Sequence, residues 1–440
     1  MVSPGRESAL RTPDEEDVIA RLSRWIHRFS GLIEAIAIGL AAMLLLAWRA
    51  PFAFRQLWAE DGTVFLQQVI NHGVFRPYGN AYAGYYLFLP RTIAVVAAAV
   101  PIRDAASTMW VGTAIVVGWC AATIYAESKG RLNTFPTRAL LALSIVLLPA
   151  LGLEAIGSAA DLQYTLLFTS LIALTGLSTD RGHVVNRVAI IVATGITTPL
   201  ALLLAPFALL RVLRAKGRRR FDATAIAWAV ATAFQFGMIL VMQPPGRNSK
   251  AGNSKLIVKH FDRRVLYENF LPKRFSTSTA TIAPLAAICA VILVIAAIVL
   301  AWRRRRRSTA ILLVLVPVVG FAFWFFAALL YGSPARYRVF PALCVVFALL
   351  VGWEELLRGL TKKRPVDWRL ATIIVVIIGL SWTTYWQLDP YRTSGPRWTV
   401  ALAAAQRHCR KYKLHDVSVK IAPVDSQAQL WAVRLPCRNL

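Results

Sequence analysis

The chain has 440 residues, of which 57% are hydrophobic, and it carries a formal net charge of +28. Apolar runs of roughly 17–25 residues recur along it, the length that crosses a bilayer core. This excludes an ordinary soluble enzyme. The charge excludes a nucleic-acid binder as well, because the basic residues fall in short clusters between apolar runs (211–220, 303–307, 362–369). That is the positive-inside pattern, not a basic stripe interleaved with exposed aromatics.

In chain order, residues 1–28 form a polar tail with Asp14, Glu15, Glu16 and Asp17, then a basic flank of Arg21, Arg24 and Arg28. The run 31–48 is too long for a signal-peptide core and reads as an uncleaved first span with a cytoplasmic N-terminus. Ten further candidate spans follow at about 85–101, 108–126, 138–153, 163–177, 187–211, 222–242, 280–302, 309–331, 338–358 and 370–387. The expected fold is an all-α polytopic membrane protein with about 11 transmembrane helices. Its membrane domain covers 29–387, with a first external loop at 49–84 and a basic external loop at 243–279. A small extracytoplasmic segment, 388–440, closes the chain, with a helix expected over 398–408 and strands over 417–421 and 430–433.

The basic clusters put 303–307 on the cytoplasmic side and 388–440 outside. The first half allows two schemes. If 85–101 and 187–211 each cross once, loop 127–138 is external and 154–163 internal. If 85–101 is re-entrant or lies at the interface, and 187–211 doubles back near 195–199, the two loops exchange sides. The second scheme is preferred, because it leaves Lys129, Arg131 and Arg138 in the cytoplasm. It predicts an outward-facing cavity, since broken helices at membrane depth need protein or water around them.

Trp58-Ala59-Glu60-Asp61-Gly62 lies in the first external loop, in a chain with only 22 acids. Phe54, Leu57 and Trp58 before it, and Phe65, Leu66 and Val69 after it, suggest short interfacial helices with the acids at a helix start. Such an acid can be a simple cap. It could equally serve as a general base, or the pair could hold a divalent cation. A second acidic loop holds Glu154 and Asp161 around Ile156-Gly157-Ser158-Ala159, followed by Gln163 and Tyr164. It reads either as a polar turn or as a lining of the same cavity.

Expected external arginines are Arg91, which follows Pro90 inside an apolar run, and Arg336 and Arg338 in a short turn between spans. Together with Lys259, His260, Arg263 and Arg264 they suggest an anionic ligand, the guanidinium fork being suited to phosphate. The six histidines show no metal-ligand spacing, and there is no phosphate-cradling glycine loop. Of five cysteines, Cys120, Cys289 and Cys344 lie in apolar runs; Cys409 and Cys437 lie in the external segment and are expected to pair as a disulfide.

The acidic motif continuing through Thr63-Val64-Phe65, the second acidic loop, Leu89-Pro90-Arg91, and Arg336-Tyr337-Arg338-Val339-Phe340-Pro341 together resemble the GT-C superfamily, membrane glycosyltransferases of actinobacterial type included. The resemblance covers nearly the whole chain on short motifs. It implies a plasma-membrane enzyme that moves a sugar from a polyprenyl-phosphate donor to a glycan or glycolipid acceptor on the outer face, with membrane lipids around it. It implies a first-loop base followed four residues on by an aromatic; Asp61 has Phe65 at that distance, so Asp61 is the first choice and Glu60 the second. Arg336, Arg338 and Arg91 would hold the donor phosphate. Trp58, Tyr85, Glu154, Asp161, Gln163, Lys259 and His260 would line the substrate. The chain departs from the family in its Glu-Asp order and in having Asp161 in the second loop. No cofactor is required by this scheme, a divalent cation remaining open. The competing class is a transporter or flippase of an anionic lipid-linked substrate.

Overall fold

The computed structural model describes residues 13–80, 82, 84–152, 154–177, 180–214, 222–242, 265, 282–331, 335–360, 368–383, 395–423 and 431–440. Lys259 and His260, and all of the basic loop 243–279 except Val265, lie outside the described residues.

The long apolar runs form helices, as their composition requires. Helices α1 (Pro13–Arg49), α2 (Gln67–His72), α3 (Phe88–Ala99), α4 (Ala105–Glu127), α5 (Phe135–Leu147), α6 (Leu162–Thr175) and α7 (Arg181–Gly195) make the first half. Then come α8 (Ala205–Arg214), α9 (Ala223–Met242), α10 (Ile282–Arg303), α11 (Arg307–Tyr331), α12 (Val339–Leu360), α13 (Trp368–Thr383) and α14 (Trp398–Tyr412). Among the described residues, five helical segments are long and apolar enough to cross a membrane: Ser30–Arg49, Ile102–Glu127, Ala223–Val241, Arg307–Leu329 and Arg336–Gly359. Among the described residues, shorter apolar stretches lie at Phe88–Ala99, Phe135–Leu151, Leu162–Thr175, Ile288–Arg303 and Trp368–Thr383. Outward-facing Leu32, Ile33, Ile36, Leu40 and Leu44 on α1 leave an apolar surface that suits lipid better than water.

Helix α6 is buried along its entire length, the state of a helix apolar all round. It defines two ends of the bundle. At its start, Gln163 Oε1 accepts a hydrogen bond from Thr198 (3.2 Å). At its finish, Arg211 donates to the carbonyls of Leu174 (3.2 Å) and Gly176 (2.9 Å). The stretch 187–211 therefore reaches one end of α6 at Thr198 and returns to the other by Arg211. The break is a 3-10 turn, Pro199–Leu204, opened by a Thr198 side-chain cap.

The segment 85–101 starts and finishes at the same end of the bundle. Its helix α3 has 12 residues, about 18 Å long, short of a core about 30 Å thick. Leu89 N–H donates to Thr197 at the Gln163 end of the bundle. Ile102, past the finish of α3, precedes α4, and α4 ends at Glu127 on the far side. There Glu127 pairs with Arg187 and His183. Arg131 donates to Ser308 and Thr309 beside the arginine run 303–307. Glu354, fully buried, accepts from the N–H groups of Asn133 (2.7 Å) and Thr134 (3.1 Å), and Arg306 and Arg358 pair with Glu355. Loop 128–134 thus shares an end with the arginine clusters, and loop 154–161 lies at the opposite, acidic end. This is the arrangement of the second scheme.

The C-terminal segment folds as α14 followed by two antiparallel strands, β1 (Asp416–Lys420) and β2 (Ala432–Pro436), with Val417 opposite Leu435 and Val419 opposite Val433. Alternation buries those valines and leaves Asp416, Ser418 and Lys420 exposed. Cys409 and Cys437 form the expected disulfide.

Candidate functional site

The first loop starts where α1 stops. Arg49 donates to the Val146 and Leu148 carbonyls and ties α1 to the finish of α5. The chain then reaches Ala59 with φ +24°, a left-handed conformation unusual for a residue with a side chain. A π-helical turn over Asp61–Leu66 follows, a feature that recurs at functional sites. This backbone turns the adjacent acids in different directions.

Asp61 is 4% exposed, and both its oxygens are engaged by backbone: Oδ2 accepts Ala159 N–H (3.0 Å) and Oδ1 accepts Ala160 N–H (2.9 Å). It is the clasp that joins the two acidic loops. Glu60, 7% exposed, faces side chains instead. Its Oε1 accepts from the Tyr82 hydroxyl (3.2 Å) and lies 3.6 Å from Arg336 Nη1. Burial first, then Glu60 and Tyr85, push the Tyr82 phenol above its ordinary value, so at neutral pH it is a neutral donor. Tyr85 bridges back to Tyr82, their rings 6.4 Å apart.

Arg336, in a 3-10 turn over Ala335–Arg338, sits among acids. Besides Glu60, its Nε is 4.0 Å from Glu154 Oε2, and Asp161, Tyr164 and Tyr337 act on it electrostatically. Three carboxylates around one guanidinium make Arg336 a compensated cation. Arg338 is buried beside it in the chain.

Arg91 is the opposite case. It is fully buried, in the first turn of α3. Nη1 donates to the Leu87 carbonyl (3.2 Å), and the guanidinium stands 5.5 Å from the Tyr86 ring and 5.7 Å from the Phe65 ring. Its Nε and Nη2 have no hydrogen-bond partner, and no carboxylate pairs with it among the described residues. Next to it, Gln235 of α9 donates to the Tyr86 carbonyl (3.1 Å) and leaves its own buried Oε1 unpartnered. Phe65 links the two sets: its ring is 5.9 Å from that of Tyr82, which holds Glu60.

The structure therefore gathers Glu60, Asp61, Tyr85, Glu154, Asp161 and Arg336 at one end of the bundle, with Arg91 linked to it through the Phe65 and Tyr82 rings. Trp58 and Gln163 do other work. Trp58 packs against Ala422 and Trp431 of the C-terminal segment, and Gln163 is held by Thr198. Sequence reasoning missed Tyr82, one of several tyrosines in an aromatic stretch, and Gln235. The latter left a readable signal, a lone amide between Phe234 and Phe236 in an apolar run. Among the described residues, no group of three or more His, Cys, Asp or Glu side chains is placed to hold a metal ion. Neither a protein-family model nor a curated protein matches the chain.

Proposed function

We propose that the protein is an integral-membrane glycosyltransferase of GT-C type, which moves a sugar from a polyprenyl-phosphate donor to a hydroxyl of a glycan or glycolipid acceptor. The observation that carries this reading is the separation of charges at the acidic end. A buried carboxylate free of backbone duty, Glu60, is joined through the Tyr82 and Phe65 rings to a buried guanidinium with two unused donor groups, Arg91. A displacement at an anomeric carbon needs a proton acceptor on one side and a holder for the departing phosphate on the other.

The roles within each candidate set are redistributed. Glu60 takes the part of base, because Asp61 already spends both oxygens on Ala159 and Ala160. Arg91 takes the part of phosphate ligand, because Arg336 is already matched by Glu60, Glu154 and Asp161. In the reaction the acceptor oxygen bonds to the anomeric carbon as the carbon–oxygen bond to phosphate breaks. The acceptor proton passes to Glu60, and the bonding electrons leave with the lipid phosphate toward Arg91. Tyr82 and Arg336 hold the Glu60 carboxylate in place. A lipid phosphate is a good leaving group, so positioning and electrostatics supply the catalysis.

The test uses the purified full-length protein, a labelled polyprenyl-phosphate sugar and candidate acceptors. Transfer should be seen with the wild type and lost in Glu60→Gln. Transport of the lipid-linked sugar across liposomes with no bond made would overturn the proposal in favour of a flippase.

A further inference from the structure

The turn that aims Glu60 is held from outside itself. Ala59 N–H donates to Ala422 O (2.7 Å), and Ala422 N–H donates to Leu57 O (3.2 Å), a backbone bridge between the acidic motif and the external segment. Gln56 donates to Gly395 O (2.5 Å). Gln67 donates to Arg434 O (3.0 Å) and accepts Arg434 N–H (2.5 Å), so its side chain pairs with the backbone of β2. Gly62 lies against the same element: a Cβ there would overlap Ile421 and stand 3.1 Å from Val433 Cγ2. Residues 56–67 are thus bracketed by 395, 421–422 and 433–434. Within that bracket sits Ala59, in a backbone conformation that a side-chain-bearing residue keeps only when its surroundings impose it.

The bracketing element has its own staple. Cys409 on α14 is bonded to Cys437 just past β2; Cys437 N–H donates to His415 O (2.8 Å), and Gln406 donates to Leu440 O (2.7 Å). We infer that the external stretches 395–423 and 431–440 are the positioning element for Glu60, with Ala422 and Gly395 as the contact residues and the Cys409–Cys437 disulfide as the bond that keeps them seated. The site is complete only where thiols are oxidised. The conformational part stands by itself; only its kinetic consequence rests on the reading of Glu60 as base.

Two perturbations of the full-length protein test this. The first is reduction of the disulfide, or the Cys409→Ser/Cys437→Ser variant. The second is a steric cycle. A Cβ at Gly395 would overlap the Ala422 Cβ and lie 3.2 Å from its Cα, so Gly395→Ala should displace Ala422 from Ala59. Gly395→Ala/Ala422→Gly moves the methyl from one residue to the other and should restore the fit. Amide exchange of 56–67 should quicken roughly tenfold or more on reduction and in Gly395→Ala, return in the double variant, and stay unchanged in α4 and α6. Sugar transfer should follow with a fall in kcat at constant KM. Unchanged exchange at 56–67 after both perturbations would overturn the inference even if transfer is observed. Altered exchange in a protein that transfers no sugar would leave it standing and remove the glycosyltransferase reading instead.

Discussion

Replacing Asp61 by Ala should damage the fold, whereas Glu60→Gln should damage only the chemistry. Asp61 accepts two backbone N–H groups at 2.9 and 3.0 Å in a buried setting. Each hydrogen bond to a charged acceptor is worth about 1.5–3 kcal/mol, and each donor left dry costs a similar amount. Asp61→Ala strands both donors, for a loss of about 3–6 kcal/mol. Glu60 offers less to the fold: a 3.6 Å ion pair with an arginine whose side chain is 30% exposed, and one tyrosine hydrogen bond. Gln keeps an acceptor oxygen for Tyr82, and Arg336 keeps Glu154 and Asp161 as counter-charges, so Glu60→Gln should cost about 1 kcal/mol. For a chain of this size each kcal/mol shifts the unfolding midpoint by roughly 1 °C, so the expected drops are about 3–6 °C and about 1 °C. The buried thiols of Cys120 and Cys344 allow the assay, since a thiol-reactive fluorophore reports their exposure on heating over the constant signal of exposed Cys289. Equal midpoints for Asp61→Ala and wild type would refute the clasp. A large drop in Glu60→Gln would refute its assignment to chemistry.

Arg91→Met should keep its stability within about 1 kcal/mol of wild type, because the lost cation–π contacts are offset by no longer burying a charge, yet sugar transfer should vanish; a strongly destabilised variant would make Arg91 structural. Tyr82 gives a pH signature: its folded value is raised, so its contribution to stability is complete below the ordinary tyrosine value and is lost as pH climbs through about 10 and beyond. The midpoint of Tyr82→Phe should therefore fall less than that of wild type between pH 9 and 11, and parallel curves would contradict the assignment. Cysteines at Arg103 and Glu154 should react with an impermeant maleimide from one side of the membrane, and a cysteine at Lys129 from the other; labelling of positions 129 and 154 from the same side would overturn the topology.

Much of the helical fold was legible because apolar length is a strong signal, and the 417–421 strand was legible from strict alternation. The side of loops 127–138 and 154–163 was not, because it depends on whether 85–101 crosses, and an apolar run of that length looks alike in a span and in a re-entrant helix. Helix α3 proved too short only once its ends were placed. The roles of Glu60 and Asp61 were beyond reach for another reason. They are neighbours on a turn with a positive φ at Ala59 and π-helical geometry after it, so helical periodicity cannot say which faces Arg336. Arg336 looked like a phosphate ligand as an isolated external arginine, and the acids that match it come from loops distant in sequence. The resemblance makes Trp58 a substrate contact, whereas Ala422, which it packs against, gives no sign in the sequence.

The bonds from Gln56 to Gly395 and from Gln67 to Arg434 span 339 and 367 residues. Few contacts in a helical bundle close so large a loop, and contacts of such separation form late. The membrane helices between them must be inserted and packed before residues 56–67 can take their final shape. An assembling chain would thus hold a finished bundle with an unfinished acidic turn. Folding defects in the C-terminal segment should then yield a protein that is stable in the membrane and inert, rather than one that is degraded.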